Sequence, residues 1–205
     1  MIKLAMTAAA ALLLTGCTST QSVDGSFATL PGVTLSSDGS SNHFFESARF
    51  DYDSSSVSGD ALEYCIASTV ENRGVTLSGE TASYISPFTG MRYSNESTRE
   101  TAGGQVIAFV SDDKSEVVAN GTTNYRATFG MAPIERVVQY RLSARGSESG
   151  LSLIFDSLRQ AQLNTGVSAN TGYHPIGAWS GAGASHAYDS LRSVAKDIQG
   201  CMANR

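Results

Sequence analysis

A run of β-type segments between residues 75 and 163 is the feature that most constrains how this chain can fold. Within it, residues 135–142 alternate apolar and polar side chains, and a return strand follows after a short loop. Segments 58–70 and 185–202 flank the run, and both place apolar residues at the i, i+3, i+4 spacing of a helix face. Helices of this kind pack on a sheet to bury its apolar face. The order therefore predicts an α+β fold, an antiparallel β-sheet with an N-terminal helix and a long C-terminal helix packed on one face.

Local signals set the expected boundaries of these elements. Ser58 and Ser185 are the predicted N-caps of the two helices, and Gly74 is the predicted C-cap residue of the first. Residues 156–163 are ambiguous between strand and helix, although the alternation at 161 and 163 favours a continued strand. The other strands are predicted at residues 43–52, 75–85, 105–111, 115–129, 135–142 and from 151 onward. This order resembles the helix-grip arrangement of lipid-transfer-like folds.

The first seventeen residues differ in character from the rest of the chain. Lys3 is followed by an uninterrupted apolar run from Ala8 to Leu14, and small residues then lead to Cys17. A cationic start, a short apolar core and small residues before a cleavage point indicate a secretory signal peptide. The run is too short for a permanent spanning helix, and no second apolar run reaches the ~18 residues that such a helix needs.

The tetrapeptide Leu14-Thr15-Gly16-Cys17 resembles the lipobox of bacterial lipoproteins. The resemblance implies that Cys17 receives a diacylglyceryl group, that the leader is cut before it, and that the new amino group is acylated. Two or more acyl chains attach a protein stably to a lipid bilayer. Thr18 stands where an Asp would favour the inner membrane, so we expect the outer membrane, facing the periplasm. The alternative is an ordinary secretory leader, with Cys17 as a free or disulfide-bonded thiol.

The sequence thus divides into three parts. Residues 1–16 are the predicted lipoprotein signal peptide, 17–42 a lipidated flexible tether rich in Ser, Thr and Gly, and 43–205 a single α+β domain. A short strand at 33–35 is left open within the tether. Cleavage removes Lys3, so the 14 basic and 19 acidic side chains of the chain become 13 and 19. This acidic balance argues against a nucleic-acid binder of the usual basic kind.

Two cysteines remain once Cys17 is assigned to the lipid. Cys65 and Cys201 lie on the apolar faces of the two predicted helices. Because an exported protein folds in an oxidising compartment, an even remainder predicts a disulfide between them. The alternative is a pair of buried free thiols.

Motifs for catalysis are scarce. The three histidines lie far apart in sequence, and no spacing typical of a zinc site occurs. The segment Gly146-Ser-Glu-Ser-Gly150 has Glu where the nucleophile elbow of a hydrolase has Ser. We therefore expect neither an enzyme nor a metal or cofactor site.

The most distinctive segment precedes the last helix. Tyr173, His174 and Trp179, the last being the single Trp of the chain, lie among glycines and a proline. One hypothesis is a recognition loop with Trp179 as an aromatic anchor. The other, which we favour, is that Trp179 fills a gap between the sheet and the last helix.

These observations predict a membrane-anchored bacterial envelope lipoprotein with a non-catalytic binding or assembly role, its partner an envelope protein. The alternative is a carrier of a small apolar ligand in a sheet–helix cavity. A continuous apolar cavity would favour the carrier, whereas a filled core with an exposed apolar patch would favour the binding role.

Overall fold

The computed structural model describes residues 21–39, 41–53, 57–129 and 132–205, and it confirms a mixed α+β fold built mostly on antiparallel strands and a long C-terminal helix. The elements in chain order are α1 (Gly25–Ala28), β1 (Val33–Ser37), β2 (His43–Asp53), α2 (Gly59–Thr69), β3 (Val75–Ile85), β4 (Arg92–Thr101), β5 (Ile107–Val110), β6 (Glu116–Phe129), β7 (Ala132–Ser147), β8 (Gly150–Gln162), β9 (His174–Pro175) and α3 (Ala184–Ala203).

The described strands form two separate sheets. The main sheet has seven strands in the order β1-β2-β8-β7-β6-β5, with β9 added alongside β8, and all its pairs are antiparallel. The second sheet is the hairpin of β3 and β4 alone. The sequence predicts a single meander, so this separate hairpin is a feature that it does not anticipate.

One row of cross-strand partners shows where the core lies. Four residues that are paired in turn from β2 to β6 each have 0% exposed surface: Ala48, Phe155, Leu142 and Ala119. The same apolar cluster contains buried residues of both long helices, namely Leu62 and Ile66 of α2 and Leu191, Ala195 and Ile198 of α3. Both helices therefore cover this face of the main sheet.

A bulge in β8 explains why residues 156–163 are ambiguous in sequence. The pairing with β7 shifts between Gln139 and Arg141, and Ser157 adopts a positive φ of 55°. An extra residue in one strand reverses the alternation beyond it. Ala161 consequently packs with Leu77 in a small cluster apart from the main core. Strict alternation from the start of β8 would instead have placed Ala161 in the main core. The segment is strand as far as Gln162.

The predicted tether at residues 17–42 differs from the structure over its described part. Asp24 accepts hydrogen bonds from the backbone of Ser26 and Phe27 and so caps α1, and Phe27 is fully buried. Strand β1 then pairs with β2, so the strand left open at 33–35 is present and longer. Residues 23–37 belong to the folded domain because Phe27 supplies a large apolar side chain to the core.

Two local expectations also need correction. Helix α2 starts after Ser58, as predicted, but ends at Thr69 with Val70 as its C-cap, well before Gly74. The N-cap of α3 is Gly183 rather than Ser185. Gly183 has a φ of 101°, and a Cβ there would collide with the hydroxyl of Tyr125, so this position requires glycine.

Candidate functional site

A disulfide joins the two long helices. Cys65 of α2 and Cys201 of α3 are bonded, with their Cα atoms 5.7 Å apart and a sequence separation of 136. This confirms the predicted pair. The bridge fixes the helical layer above the main sheet and leaves neither of these thiols available for redox chemistry.

The lipobox residues Leu14 to Cys17 lie outside the described residues, so lipidation at Cys17 stays a prediction. In the described part of the chain, no helix combines the length and the apolar character that crossing a membrane requires.

The segment at residues 174–178 fills a fork in the main sheet. Strands β2 and β8 are paired from Ala48 and Phe155 as far as Asp53 and Gly150. On the other side of Ala48 and Phe155, where β8 has its bulge, the two strands separate. The segment lies in this gap, where the backbone carbonyl of Ile176 accepts a 2.8 Å hydrogen bond from the Phe45 amide. Strand β9 pairs with β8 on the other side of the fork. The segment therefore closes the sheet where two strands diverge.

The three residues of the predicted recognition loop lie in different surroundings. Tyr173 is half-buried against the Leu77 cluster, and burial raises the pKa of its phenol. His174 is exposed on the short strand β9. Trp179 packs edge-to-face on Phe44, with ring centroids 5.7 Å apart. The structure does not bring these side chains together into one surface, and Trp179 takes part in packing beside the fork.

Aromatic rings fill the space between the sheet and α3. The Phe50 ring lies 5.3 Å from that of Tyr188 and 5.8 Å from that of Phe155, and Tyr140 lies 5.1 Å from Phe155. The Tyr188 hydroxyl donates a 2.9 Å hydrogen bond to the backbone carbonyl of Pro31. These rings belong to the buried cluster between the main sheet and the helices.

A small cavity of about 200 Å³ lies beside the start of α3. Arg136 reaches its wall and donates a 2.6 Å hydrogen bond to the carbonyl of Ala182, which also accepts from the Gln160 side chain. Tyr125 donates to Gln160 at 2.6 Å, and burial raises the pKa of the Tyr125 phenol. This volume is below the ~300–1,000 Å³ usual for ligand pockets, whereas a groove at the fork in the main sheet measures about 680 Å³. This polar network holds the loop before Gly183 in place.

Among the described residues, five of the eight large apolar side chains that are exposed lie at the far end of the β3–β4 hairpin. We call this cluster the hairpin tip. Its members, with their exposed fractions, are Tyr84 (64%), Ile85 (67%), Phe88 (96%), Met91 (64%) and Tyr93 (45%). Tyr84 and Tyr93 are direct cross-strand partners and stack with centroids 5.3 Å apart. Exposed apolar patches on small proteins commonly mark interaction sites.

The other end of the hairpin is attached firmly to the domain. Leu77 is fully buried with Val137 and Ala161 on the face of the main sheet opposite the helices. The amide of Ser78 donates a 2.8 Å hydrogen bond to the carbonyl of Leu163. The amide of Glu80 donates to the loop at residues 166–168. Beyond Glu80 the tip extends away from these contacts, so the hairpin presents its apolar end on an ordered stem.

The sequence patterns described above do not identify the hairpin tip. The missing element was β4, whose residues are polar on both faces and therefore give no alternating signal. The signal that could have revealed it is the pair of tyrosines on either side of a turn that itself contains Pro87 and Phe88. Within the described residues, no group of three or more His, Cys, Asp or Glu side chains is placed to hold a metal ion.

The chain is distantly similar to a solved structure. A DUF4468 family protein from Bacteroides ovatus, known from a crystal structure, is 13% identical, with a TM-score of 0.39 over 75% of this chain and 70% of that chain. No family model matches the chain, and neither does any curated protein.

Proposed function

We propose that this protein is a membrane-anchored lipoprotein of the bacterial envelope with a non-catalytic binding or assembly role, attached through acylated Cys17 to the periplasmic face of the outer membrane. The lipobox-like tetrapeptide supports the anchor. The Cys65–Cys201 disulfide supports an oxidising compartment, because structural disulfides persist there.

The observation that carries the binding role is the contrast between a filled core and an exposed apolar tip. Aromatic rings occupy the sheet–helix space, whereas Phe88 at the tip is almost wholly exposed. Folding gains nothing from a Phe in that position, and exposed apolar surface lowers solubility. A role in contacting another surface gives this side chain a function.

We also propose that the sheet and its two helices form a helix-grip-like arrangement, but one without a cavity for a ligand. Carriage of a small apolar ligand has less support, because the Phe50, Tyr140, Phe155 and Tyr188 rings fill the space between sheet and helix. Native mass spectrometry of the purified protein distinguishes the two roles. A co-purified lipid-sized mass held in the fold would favour the carrier.

The anchor is tested by Cys17→Ser in living cells. We expect the wild-type chain to incorporate labelled palmitate and to fractionate with the outer membrane. The variant should lose the label and accumulate as precursor or as soluble protein. Label that persists in the variant would refute acylation at Cys17.

The binding role is tested by a photo-cross-linking residue placed at Phe88 and, as a matched control, at Phe109. Both positions carry an exposed Phe, but Phe109 lies on β5 outside the tip. We expect reproducible adducts from position 88 in cells and few from position 109. Equal labelling at both positions would show that the tip is not a specific contact site.

A further inference from the structure

We infer that the hairpin tip inserts into the lipid interface of the same bilayer that holds Cys17, so that the domain is fixed to the membrane at two points. This inference rests on the proposed lipid anchor. It assigns to the tip a partner of defined chemistry, the boundary between phospholipid headgroups and acyl chains.

The length of chain between the anchor and the domain keeps the domain close to the bilayer. Val23 forms a β-bridge with Trp179, and the amide of Asp24 donates a 2.8 Å hydrogen bond to the carbonyl of Ala178. Val23 follows Cys17 by only six positions in sequence. Fully extended, six residues span about 20 Å. The domain surface at Val23 therefore stays within that distance of the lipid headgroups.

The hairpin has the length to cover such a gap. Strand β3 contains 11 residues. At ~3.3 Å per residue, the five residues of β3 beyond Glu80 extend about 17 Å, and the turn at residues 86–91 lengthens the arm further. Because Leu77 and Ser78 fix its lower half to the main sheet, the exposed remainder projects as an ordered arm. A tether of the length first expected, residues 17–42, would have left the position of this arm unconstrained.

The charge distribution of the arm suits a lipid interface. Residues 83–91 contain no charged side chain, in a protein with 14 basic and 19 acidic residues. Arg92 is the first charged residue after the turn, and it forms a 2.6 Å ion pair with Glu80 farther down the stem. Burial of an unpaired charge in lipid is strongly unfavourable. Arg92 is the cross-strand partner of Ile85 and so lies nearer the turn than the tyrosine pair, but its guanidinium is paired with Glu80, and the tip therefore presents no unpaired charge.

The side chains at the tip are of the types found at that depth. Tyr84 and Tyr93 each carry an apolar ring with a polar hydroxyl, and such residues are enriched where membrane meets water. Phe88 and Met91 lie beyond them in the turn. The tyrosine pair thus marks the expected headgroup level, with Phe88 directed deeper.

The backbone of the turn is also suited to partial burial. The amide of Ser86 donates a 2.9 Å hydrogen bond to the carbonyl of Met91, and the amide of Gly90 donates to the carbonyl of Ser86 at 2.9 Å. Unpaired backbone groups are costly in hydrocarbon. The outward edges of β3 and β4 beyond the stem carry such groups, so insertion should stop at the interface.

The small area of the tip favours lipid over a protein partner or a second copy. Five side chains of this size and exposure present on the order of 600 Å². A stable protein interface buries about 800 Å² on each partner, with a complementary surface opposite. A bilayer needs no complementary shape, and a weak second contact suffices where acyl chains already hold the protein nearby.

The test uses full-length acylated protein in vesicles of phosphatidylethanolamine and phosphatidylglycerol, with or without bromine high on the acyl chains. Phe88→Trp reports on the tip, Phe109→Trp is the matched control, and the unsubstituted protein gives the background of Trp179. We expect bromolipid to quench the added indole of Phe88→Trp at least about twofold more than that of Phe109→Trp, because bromine quenches only nearby indoles and interfacial aromatics lie at that depth.

Other outcomes identify what has failed. Equal quenching of the two variants in acylated form would overturn tip insertion while leaving the anchor intact. Blue-shifted emission from Phe88→Trp without bromolipid quenching, growing with protein density, would assign the tip to a second copy. Red emission from that variant without quenching would leave the tip in water and also overturn the lipid assignment. If mass analysis shows no acyl group on Cys17, the proposed anchor fails, and this inference fails with it.

Discussion

The helix-covered core and the β3–β4 hairpin use apolar residues in opposite ways. In the core, Phe155 and Leu142 are direct strand partners with no exposed surface, and a disulfide joins the helices above them. In the hairpin, Tyr84 and Tyr93 are also direct partners, yet both are open to solvent. The first arrangement stabilises the fold, whereas the second leaves apolar area unused by folding. Substitutions that separate stability from binding should therefore divide along this boundary.

The largest effect on stability is expected from removing the disulfide. The double variant Cys65→Ala/Cys201→Ala releases a bridge that spans 136 residues. For a loop of that length the chain-entropy relation gives up to about 5 kcal/mol of lost stability. Urea denaturation of the purified protein measures it. A loss below about 1 kcal/mol would mean that the helical layer is held by packing alone.

The next largest loss of stability is expected from truncating a side chain in the core. Leu142→Ala removes a fully buried side chain from the row between Phe155 and Ala119. We expect a loss of about 3–4 kcal/mol. The matched hairpin variant Ile85→Ala should change stability by less than about 0.5 kcal/mol, because exposed substitutions rarely do more. Comparable losses in the two variants would show that the tip is part of the folding core.

The same boundary separates what could be predicted from sequence from what could not. Strand β2 and the start of helix α2 were predicted close to their observed limits, because the burial of one face imposes a period on the residues. The disulfide followed from the even number of remaining cysteines on two apolar helix faces. In each case a pattern created by burial was present in the chain itself.

The features that could not be predicted from the sequence are those for which burial creates no periodic pattern of apolar residues. Strand β4 is polar on both faces and is held by backbone pairing to β3. The bulge at Ser157 inverts the alternation of β8 without an obvious residue signal. Phe27 is a single apolar residue in a polar stretch, so local composition indicated a tether, although its side chain enters the core. The tip could not be recognised because its aromatics resemble core residues until their exposure is known.

Substitutions of two glycines, one beside the core and one in the hairpin turn, should give smaller losses of stability that also differ between the two regions. Gly183 and Gly90 both have positive φ, 101° and 68°. A Cβ at Gly183 would collide with Tyr125, whereas a Cβ at Gly90 has no neighbouring atom within 4 Å. Gly183→Ala should therefore lose about 2–3 kcal/mol and Gly90→Ala about 1 kcal/mol, since only the second is limited to backbone strain. Thermal and urea unfolding measure both, and equal losses would contradict a close contact at Gly183.

The smallest expected effect is a change in amide exchange with pH in the segment that joins the anchor to the core. Hydrogen bonds from the Ser26 hydroxyl and from the amides of Phe27 and Ser26 lower the pKa of Asp24 below its ordinary 3.8. A lowered pKa in the folded state means that this cap contributes fully above pH 3.8 and is lost as pH falls through the lower folded value. We therefore expect amide exchange at Ser26 and Phe27 to increase in acid before the main core opens. Asp24→Asn should remove the acid step while the Tyr84 and Tyr93 region, which has no carboxylate between residues 83 and 91, stays unchanged. An acid step that survives in Asp24→Asn would assign the titration to another carboxylate and detach the N-terminal segment from this cap.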